Sequence, residues 1–329
     1  MSDADAAKQD EVRRKLLKPK VTEEEALSIL LDLYIADGFD NTDNIKVPRV
    51  QVIQELDSYD DVNYLVKIDG EKALLKIHNG VESEQYIAAQ AHVNAAAKRA
   101  KVDETDTPSS SSKASNNNNS IIDLHSAIYQ HLAQEKYNVT TGKTICGKNE
   151  TTSGDDTSSD SSDVCIRELS VISADHSPQQ LVIRLQSWVH GTPLSSIQWC
   201  PIETLVDCGI YLGNMCHALD DLASTNSTAL ASAKRYHAWD GKHLLDVKPY
   251  VSHIDDDKQS KLVTSVIDTF EKVIVEGKEG EKFRMGIIHG DFNDANIVSA
   301  LYQENVIDCA NCNSSQLSFL YLNKTDYWG

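Results

Sequence analysis

Positive charge is in short supply in this sequence: 31 lysines and arginines stand against 50 aspartates and glutamates, a formal net charge of −19 over 329 residues. A nucleic-acid surface needs a basic patch to displace phosphate counterions, so the balance argues against that class of function. An acidic balance favours solubility and, where a cleft focuses it, attracts cationic ligands. For most of these side chains an ordinary solvated surface is explanation enough. Long apolar runs are also missing. No stretch reaches membrane-spanning length, and the N-terminus lacks the segment of about 7–15 apolar residues that a secretory signal requires. Asp3, Asp5 and Asp10 weigh against a transit peptide, despite the basic cluster of Arg13, Arg14, Lys15, Lys18 and Lys20. A disulfide framework is absent as well. The seven cysteines (146, 165, 200, 208, 216, 309 and 312) are odd in number and scattered, which fits thiols in a reducing compartment. Cys309 and Cys312 have metal-like spacing but no second pair, and a closed zinc site needs four ligands. The expectation is a cytoplasmic protein with neither a nucleic-acid nor a membrane partner.

What the sequence does contain is concentrated near its end. The run Ile287-Ile288-His289-Gly290-Asp291-Phe292-Asn293-Asp294-Ala295-Asn296-Ile297-Val298 sets an aspartate and an asparagine five positions apart, in a tight loop between apolar segments. Phosphoryl transfer asks for a carboxylate that takes a hydroxyl's proton and orients its oxygen, and for a neutral oxygen ligand to magnesium nearby. Asp291 suits the first role and Asn296 the second. Val306-Ile307-Asp308 then supplies an apolar pair and an aspartate where the kinase scheme places a second metal ligand. The bland alternative is a surface turn, since Asp and Asn bond their local backbone in turns.

Upstream the chain divides in two. Residues 1–20 are polar and are expected to be frayed; Thr22 with Glu25 forms a capping box, Val21 can staple onto Ala26, and a helix follows. Residues 45–190 read as a β-rich lobe. Its strands are 50–56, 64–68 and 73–77, with turns at 57–61 and at Asp69-Gly70, a helix over 81–100, a second over 121–137, and strands over 164–171 and 181–189. Two low-complexity stretches, 103–120 and 149–163, bury too little apolar area to offset ordering entropy and are expected to be disordered. Lys76 lies in the third strand, from which a lysine could reach nucleotide phosphates, or simply face solvent. Glu84 on the following helix is a candidate partner for it, with Glu82 and Glu71 as rivals. The stretch 188–194 is a hinge, and a nucleotide base is expected against backbone near Gln186, Trp188 and Val189. Residues 191–329 then read as a helical lobe. A long amphipathic helix spans 202–222 and another 258–275; between them Trp239-Asp240 could hold an ammonium group or simply pack.

This order of elements resembles the aminoglycoside phosphotransferase and choline kinase-like superfamily of small-molecule kinases, over roughly residues 45–310. Within it Glu55-Leu56-Asp57-Ser58-Tyr59-Asp60-Asp61, Asn63-Tyr64, Leu75-Lys76-Ile77 and the 289–296 loop look most like the hydroxylysine kinases. The resemblance implies an α+β, protein-kinase-like fold of two lobes. It further implies transfer of the γ-phosphate of GTP, with ATP the other candidate, to the hydroxyl of 5-hydroxy-L-lysine; choline, ethanolamine and homoserine are the alternative amino alcohols. By the same resemblance Asp291 is the base, Asn296 and Asp308 hold Mg2+, Lys76 binds phosphate, and Ser58 and Tyr59 cover the phosphates. If the family's helix glutamine is Gln90, alanine stands at the acidic place rather than Glu84; if the first insertion instead splits this region, the counterpart helix opens at Ile121-Ile122-Asp123-Leu124 and Asp123 becomes a further rival. The family continues through more helices after its metal aspartate, whereas here Asp308 leads into Cys309-Ala310-Asn311-Cys312 and the chain ends at Gly329. The helical lobe is therefore expected to be incomplete, with apolar surface of its long helix left open and transfer activity in doubt.

Overall fold

A computed structural model describes residues 3–36, 49–103, 120–137, 144–146, 164–173, 177–233, 241–283 and 286–299. The two low-complexity stretches lie almost wholly outside these residues, as do Trp239, Asp240, Asp308 and both C-terminal cysteines. The architecture is α+β, an antiparallel sheet in the N-terminal part and helices after it.

The sheet begins with a hairpin that the sequence dictates. Strands β1 (Val50–Leu56), β2 (Val62–Ile68) and β3 (Glu71–Ile77) run antiparallel. The β2–β3 turn is the dipeptide Asp69-Gly70, with φ of 52° and 97°. Two positive φ values are what a two-residue primed turn needs to match strand twist. The register then sorts side chains by face. Val62, Tyr64 and Val66 oppose Ile77, Leu75 and Ala73, and Leu75 and Ile77 oppose Leu185 and Ile183 of β6 (Gln179–Ser187). This face packs on Ala26, Ile29, Leu30 and Leu33 of α2 (Glu23–Ala36). The capping box at its start is formed: Glu25 N–H donates to Thr22 Oγ1 at 3.2 Å, and Thr22 N–H to Glu25 Oε2 at 2.7 Å. Because side chains alternate along a strand, the other face carries Asn63, Lys76 and Arg184 in one cross-strand row and Leu65, Leu74 and Gln186 in the next. The far edge of β6 is shared by β4 (Thr144–Cys146) and β5 (Cys165–Leu169).

The polar N-terminal segment is not frayed. It forms α1 (Asp3–Leu16), and its exit is stitched to the sheet: Pro19 bridges Val171, and Lys20 N–H donates to the Ser170 carbonyl at 2.8 Å. After β3 comes α3 (Gly80–Asp103), then α4 (Ile121–Leu132), which is capped by Ser120 and Asp123. A hinge carries the short strand β7 (Thr192–Pro193) into α5 (Ile202–Thr225), α6 (Ser227–Ala233), a 3₁₀ stretch over Gly241–His253, and α7 (Asp257–Phe270). Strand β8 (Val298–Ser299) returns to pair with β7. One apolar core joins α4 to α5, through Leu124, Ile128 and Leu132 against Met215, Ala218, Leu219 and Leu222, and takes in Ile287 and Ile297 at either end of the aspartate loop. The other side of α5 is bare. Ile202, Leu205, Val206 and Ile210 recur at helical spacing and are exposed, with Trp199 just ahead of them.

Candidate active site

The aspartate loop is held at the hinge. Leu194 N–H donates to the Ile297 carbonyl at 2.9 Å and Ser195 N–H to that of Asp294 at 3.0 Å, so the short β7–β8 ribbon and the loop share one anchor. The anchor requires a glycine. Gly191 has φ +150°, and a Cβ there would lie 2.5 Å from Val298 Cγ1 and 2.6 Å from the Ser299 carbonyl oxygen. Gly290, at φ +76°, then turns the chain sharply between His289 and Asp291.

Within the loop, amide side chains converge on one carboxylate. Asn296 Nδ2 donates to Asp291 Oδ2 at 2.7 Å and to the Asp291 carbonyl at 2.9 Å, while Asn293 Nδ2 donates to Asp291 Oδ1 at 2.6 Å. Asp291 is half-buried and Asn296 buried. With both Nδ2 protons of Asn296 directed at Asp291, its Oδ1 is the atom left for a cation, the donor chemistry that magnesium requires. Asp291 N–H in turn donates to His289 Nδ1 at 3.2 Å. A ring nitrogen that accepts must be unprotonated, and burial depresses the His289 pKa to about 4, with the Asp291 charge pulling the other way. His289 is therefore neutral around pH 7 and braces the backbone of Asp291. Asp308, the second expected metal ligand, lies outside the described residues.

Lys76 is not the solvent-facing charge that periodicity alone allowed. It is 2% exposed, and its Nζ forms an ion pair with Asp61, itself 1% exposed. Asp61 Oδ1 also accepts the Asn79 N–H at 2.8 Å. The expected helix partner, Glu84, instead pairs with Arg13 near the surface. Its rival Glu82 is buried but answers to other groups, Arg14 Nη1 at 3.2 Å and His78 Nδ1 at 3.3 Å. Glu71 is exposed. Asp123 serves as the α4 cap, with Gln90 Nε2 at 3.4 Å.

Asp60 completes this buried cluster, 2.7 Å from Arg14 Nη1. Burial and the charges of Asp61 and Glu82 push its carboxyl up to about 6, against the pull of Arg14. Burial alone would raise Glu82 too, but its hydrogen bond with His78 and the Arg14 charge outweigh that and hold it well below the ordinary range. Burial likewise lowers His78 and His125, so both rings are neutral. Among the described residues Asp61, His78 and Glu82 come within 4.8 Å of one another, a grouping able to hold a metal. Three carboxylates here already face Arg14 and Lys76, with Arg184 next to Lys76 in the strand register, so the charge is balanced without an added cation. Sequence reasoning missed Asp60, Asp61 and Arg14 as members. The one local signal was two adjacent acids leading into a strand that is buried on both faces.

The remaining expected nucleotide contacts occupy two places. Ser58 and Tyr59 sit in the turn before β2, and their carbonyls accept from Lys18 Nζ at 2.9 and 3.1 Å. At the hinge, Gln186 is buried in the sheet opposite Leu74, Trp188 N–H is engaged by the Lys72 carbonyl at 3.3 Å, and Val189 packs with Leu74 and Val298, flanked by Leu56 and Trp188. Those side chains form a small apolar patch where sheet, hinge and β8 meet.

The sequence matches the model of the phosphotransferase enzyme family over residues 52–315, most of its length. The chain belongs to that family, which makes it by descent a small-molecule phosphotransferase. The match takes in the sheet from β1 onward, the hinge and the aspartate loop, but neither α1 nor α2. No curated protein matches the chain. No described helix is long and apolar enough to cross a membrane.

Proposed function

We propose that the protein transfers the γ-phosphate of GTP to the side-chain hydroxyl of 5-hydroxy-L-lysine in the cytoplasm. The observation that carries the catalytic part of this reading is the carboxylate of Asp291, clamped by Asn293 and Asn296 in a loop bonded to the hinge. Such a carboxylate accepts the hydroxyl proton and aims its oxygen at phosphorus, most of the work in phosphoryl transfer being positioning and charge stabilisation. The new oxygen–phosphorus bond forms as the bond from the γ-phosphorus to its bridging oxygen breaks, and GDP leaves. Lys76 is assigned to the phosphates, Ser58 and Tyr59 to the turn above them, and the apolar patch with Gln186, Trp188 and Val189 to the base. Asn296 and Asp308 are assigned to Mg2+, which when bound neutralises charge on the transferring group. The choice of hydroxylysine rests on the wording of 55–61, 75–77 and 289–296 and on the acidic balance of the chain, which suits a substrate with two ammonium groups.

The test is turnover by the purified full chain with magnesium and either GTP or ATP, against hydroxylysine, choline, ethanolamine and homoserine. Hydroxylysine phosphorylation that disappears in Asp291→Asn while nucleotide still binds supports the reading; no turnover of hydroxylysine overturns it. The open apolar face of α5 favours a second reading, a member that binds nucleotide without transferring phosphate. Magnesium-dependent binding with no acceptor turned over is its signature.

A further inference from the structure

We propose that α1 is a positioning element of the phosphotransferase site and that Arg14 is its positioning residue. The proposal rests on the functional reading above only in taking the turn 57–61 and Lys76 to meet the nucleotide.

The geometry is a three-way tie. Arg14 reaches Asp60 and Glu82, while its own carbonyl accepts from Asn79 Nδ2 at 2.8 Å, and Asn79 Nδ2 also donates to the Asp60 carbonyl at 3.1 Å. One residue thus links the 57–61 turn, the end of β3 and the first turn of α3. A second set of contacts holds the turn from above: Lys18 Nζ takes the carbonyls of Ser58 and Tyr59, and the Tyr59 hydroxyl bonds Glu11. The fit is close, since Gly80 N–H donates to the Leu17 carbonyl at 3.0 Å and a Cβ at Gly80 would lie 2.8 Å from Leu17 Cβ.

The electrostatics give Arg14 a function beyond fastening. Asp60, Asp61 and Glu82 are three buried carboxylates; Lys76 pairs with Asp61, and Arg14 with Asp60 and Glu82. Without Arg14, Asp60 and Glu82 lose the guanidinium that faces both, and the cluster's pull on the Lys76 ammonium, inward and away from a phosphate, grows. With Arg14 in place, Asp60 and Glu82 are answered from α1, which lessens their demand on Lys76. Burial opposes the charge on Arg14, but Glu82 and Asp60 more than offset it, so the guanidinium stays charged. The family match begins at residue 52, so α1 comes from outside the region that defines the family.

The test uses the full chain as Arg14→Met, Arg14→Lys and Lys18→Met, reading magnesium–GTP and magnesium–ATP affinity, kcat, both KM values and the melting temperature. Weakening the Lys76–phosphate contact by about the worth of one charge-assisted hydrogen bond predicts nucleotide affinity about tenfold weaker in Arg14→Met, with acceptor KM unchanged and Arg14→Lys recovering most of the loss. Should Arg14→Met fail to fold, Lys18→Met still decides: nucleotide KM rises several-fold at an unaltered melting temperature. Nucleotide affinity unchanged in the folded variants overturns the proposal, as does a loss shared equally by both substrates and by the melting temperature. A wild-type chain that binds no nucleotide overturns this inference together with the functional reading. A wild type that binds nucleotide normally, beside variants that do the same, overturns this inference alone.

Discussion

The buried pair of Lys76 and Asp61 gives a double-mutant cycle with a calculable outcome. Removing one member of a buried ion pair leaves an uncompensated charge and costs about 3–5 kcal/mol. Lys76→Met leaves the buried Asp61 carboxylate, which accepts the Asn79 N–H at 2.8 Å, without its ammonium partner, whereas Asp61→Asn preserves that acceptor but sets an amide against a buried ammonium. Each single change therefore removes a large share of a total stability of about 5–15 kcal/mol. The double variant contains no stranded charge and should cost only about 1–3 kcal/mol, the ordinary loss for a buried polar contact. The implied coupling is several kcal/mol, far above the few tenths seen between independent sites. Urea unfolding followed by circular dichroism, with the m-value checked for constancy because the chain has two parts, reads all four proteins. Phosphotransfer should stay absent in the double variant even as stability returns, because the charge assigned to the phosphates is gone. Losses that simply add would refute the argument that the pair is one buried electrostatic unit.

Further outcomes follow from the loop and hinge. Asn296→Ala removes the 2.7 and 2.9 Å bonds that aim Asp291, so kcat should fall about 10- to 100-fold with a raised magnesium requirement; an unaltered magnesium titration removes Asn296 as a ligand. The His289 pKa is about 4 folded against 6.5 unfolded, so the native state binds fewer protons between those values. Its contribution to stability is complete above pH 6.5 and is lost as pH falls toward 4, at most about 3 kcal/mol. Urea unfolding across that window should show a shallower pH dependence in His289→Gln, and equal slopes would disprove the assignment. Gly191→Ala drives a Cβ into Val298 and the Ser299 carbonyl, so a melting temperature lower by several degrees is expected, with kcat reduced in step; an unperturbed melting curve would contradict it.

Local chemistry was legible in the sequence and distant partners were not. Asp69-Gly70 specifies its turn and Thr22 with Glu25 its cap, because each acts within four residues. The fate of the first twenty residues could not be read that way: Arg14 finds Asp60 and Glu82, 46 and 68 positions along, and no local pattern signals such contacts. The lysine's partner was misread for a geometric reason. Residues two apart point to nearly opposite sides of a helix, so once Glu82 of α3 turns inward, Glu84 must turn out toward Arg13. The spacing of Asp291 and Asn296 was explicit, but the Asn293 contact was not, since it depends on a fold of the loop that Gly290 permits. The span of α5 was legible, yet its pattern could not show which apolar positions would be covered: Cys208, Tyr211, Met215, Ala218, Leu219 and Leu222 are buried, with Ile202, Leu205, Val206 and Ile210 left out.

That uncovered stripe, on a chain with a net charge of −19, sets short-range adhesion against long-range repulsion. At low ionic strength the repulsion keeps molecules apart; near 0.15 M salt its reach shrinks to about 8 Å, and the bare aliphatic side chains can meet. Colloidal behaviour should therefore run opposite to that of a protein precipitated by ionic attraction, with light scattering growing as salt is added. Replacing Leu205 and Ile210 with glutamate should abolish that growth.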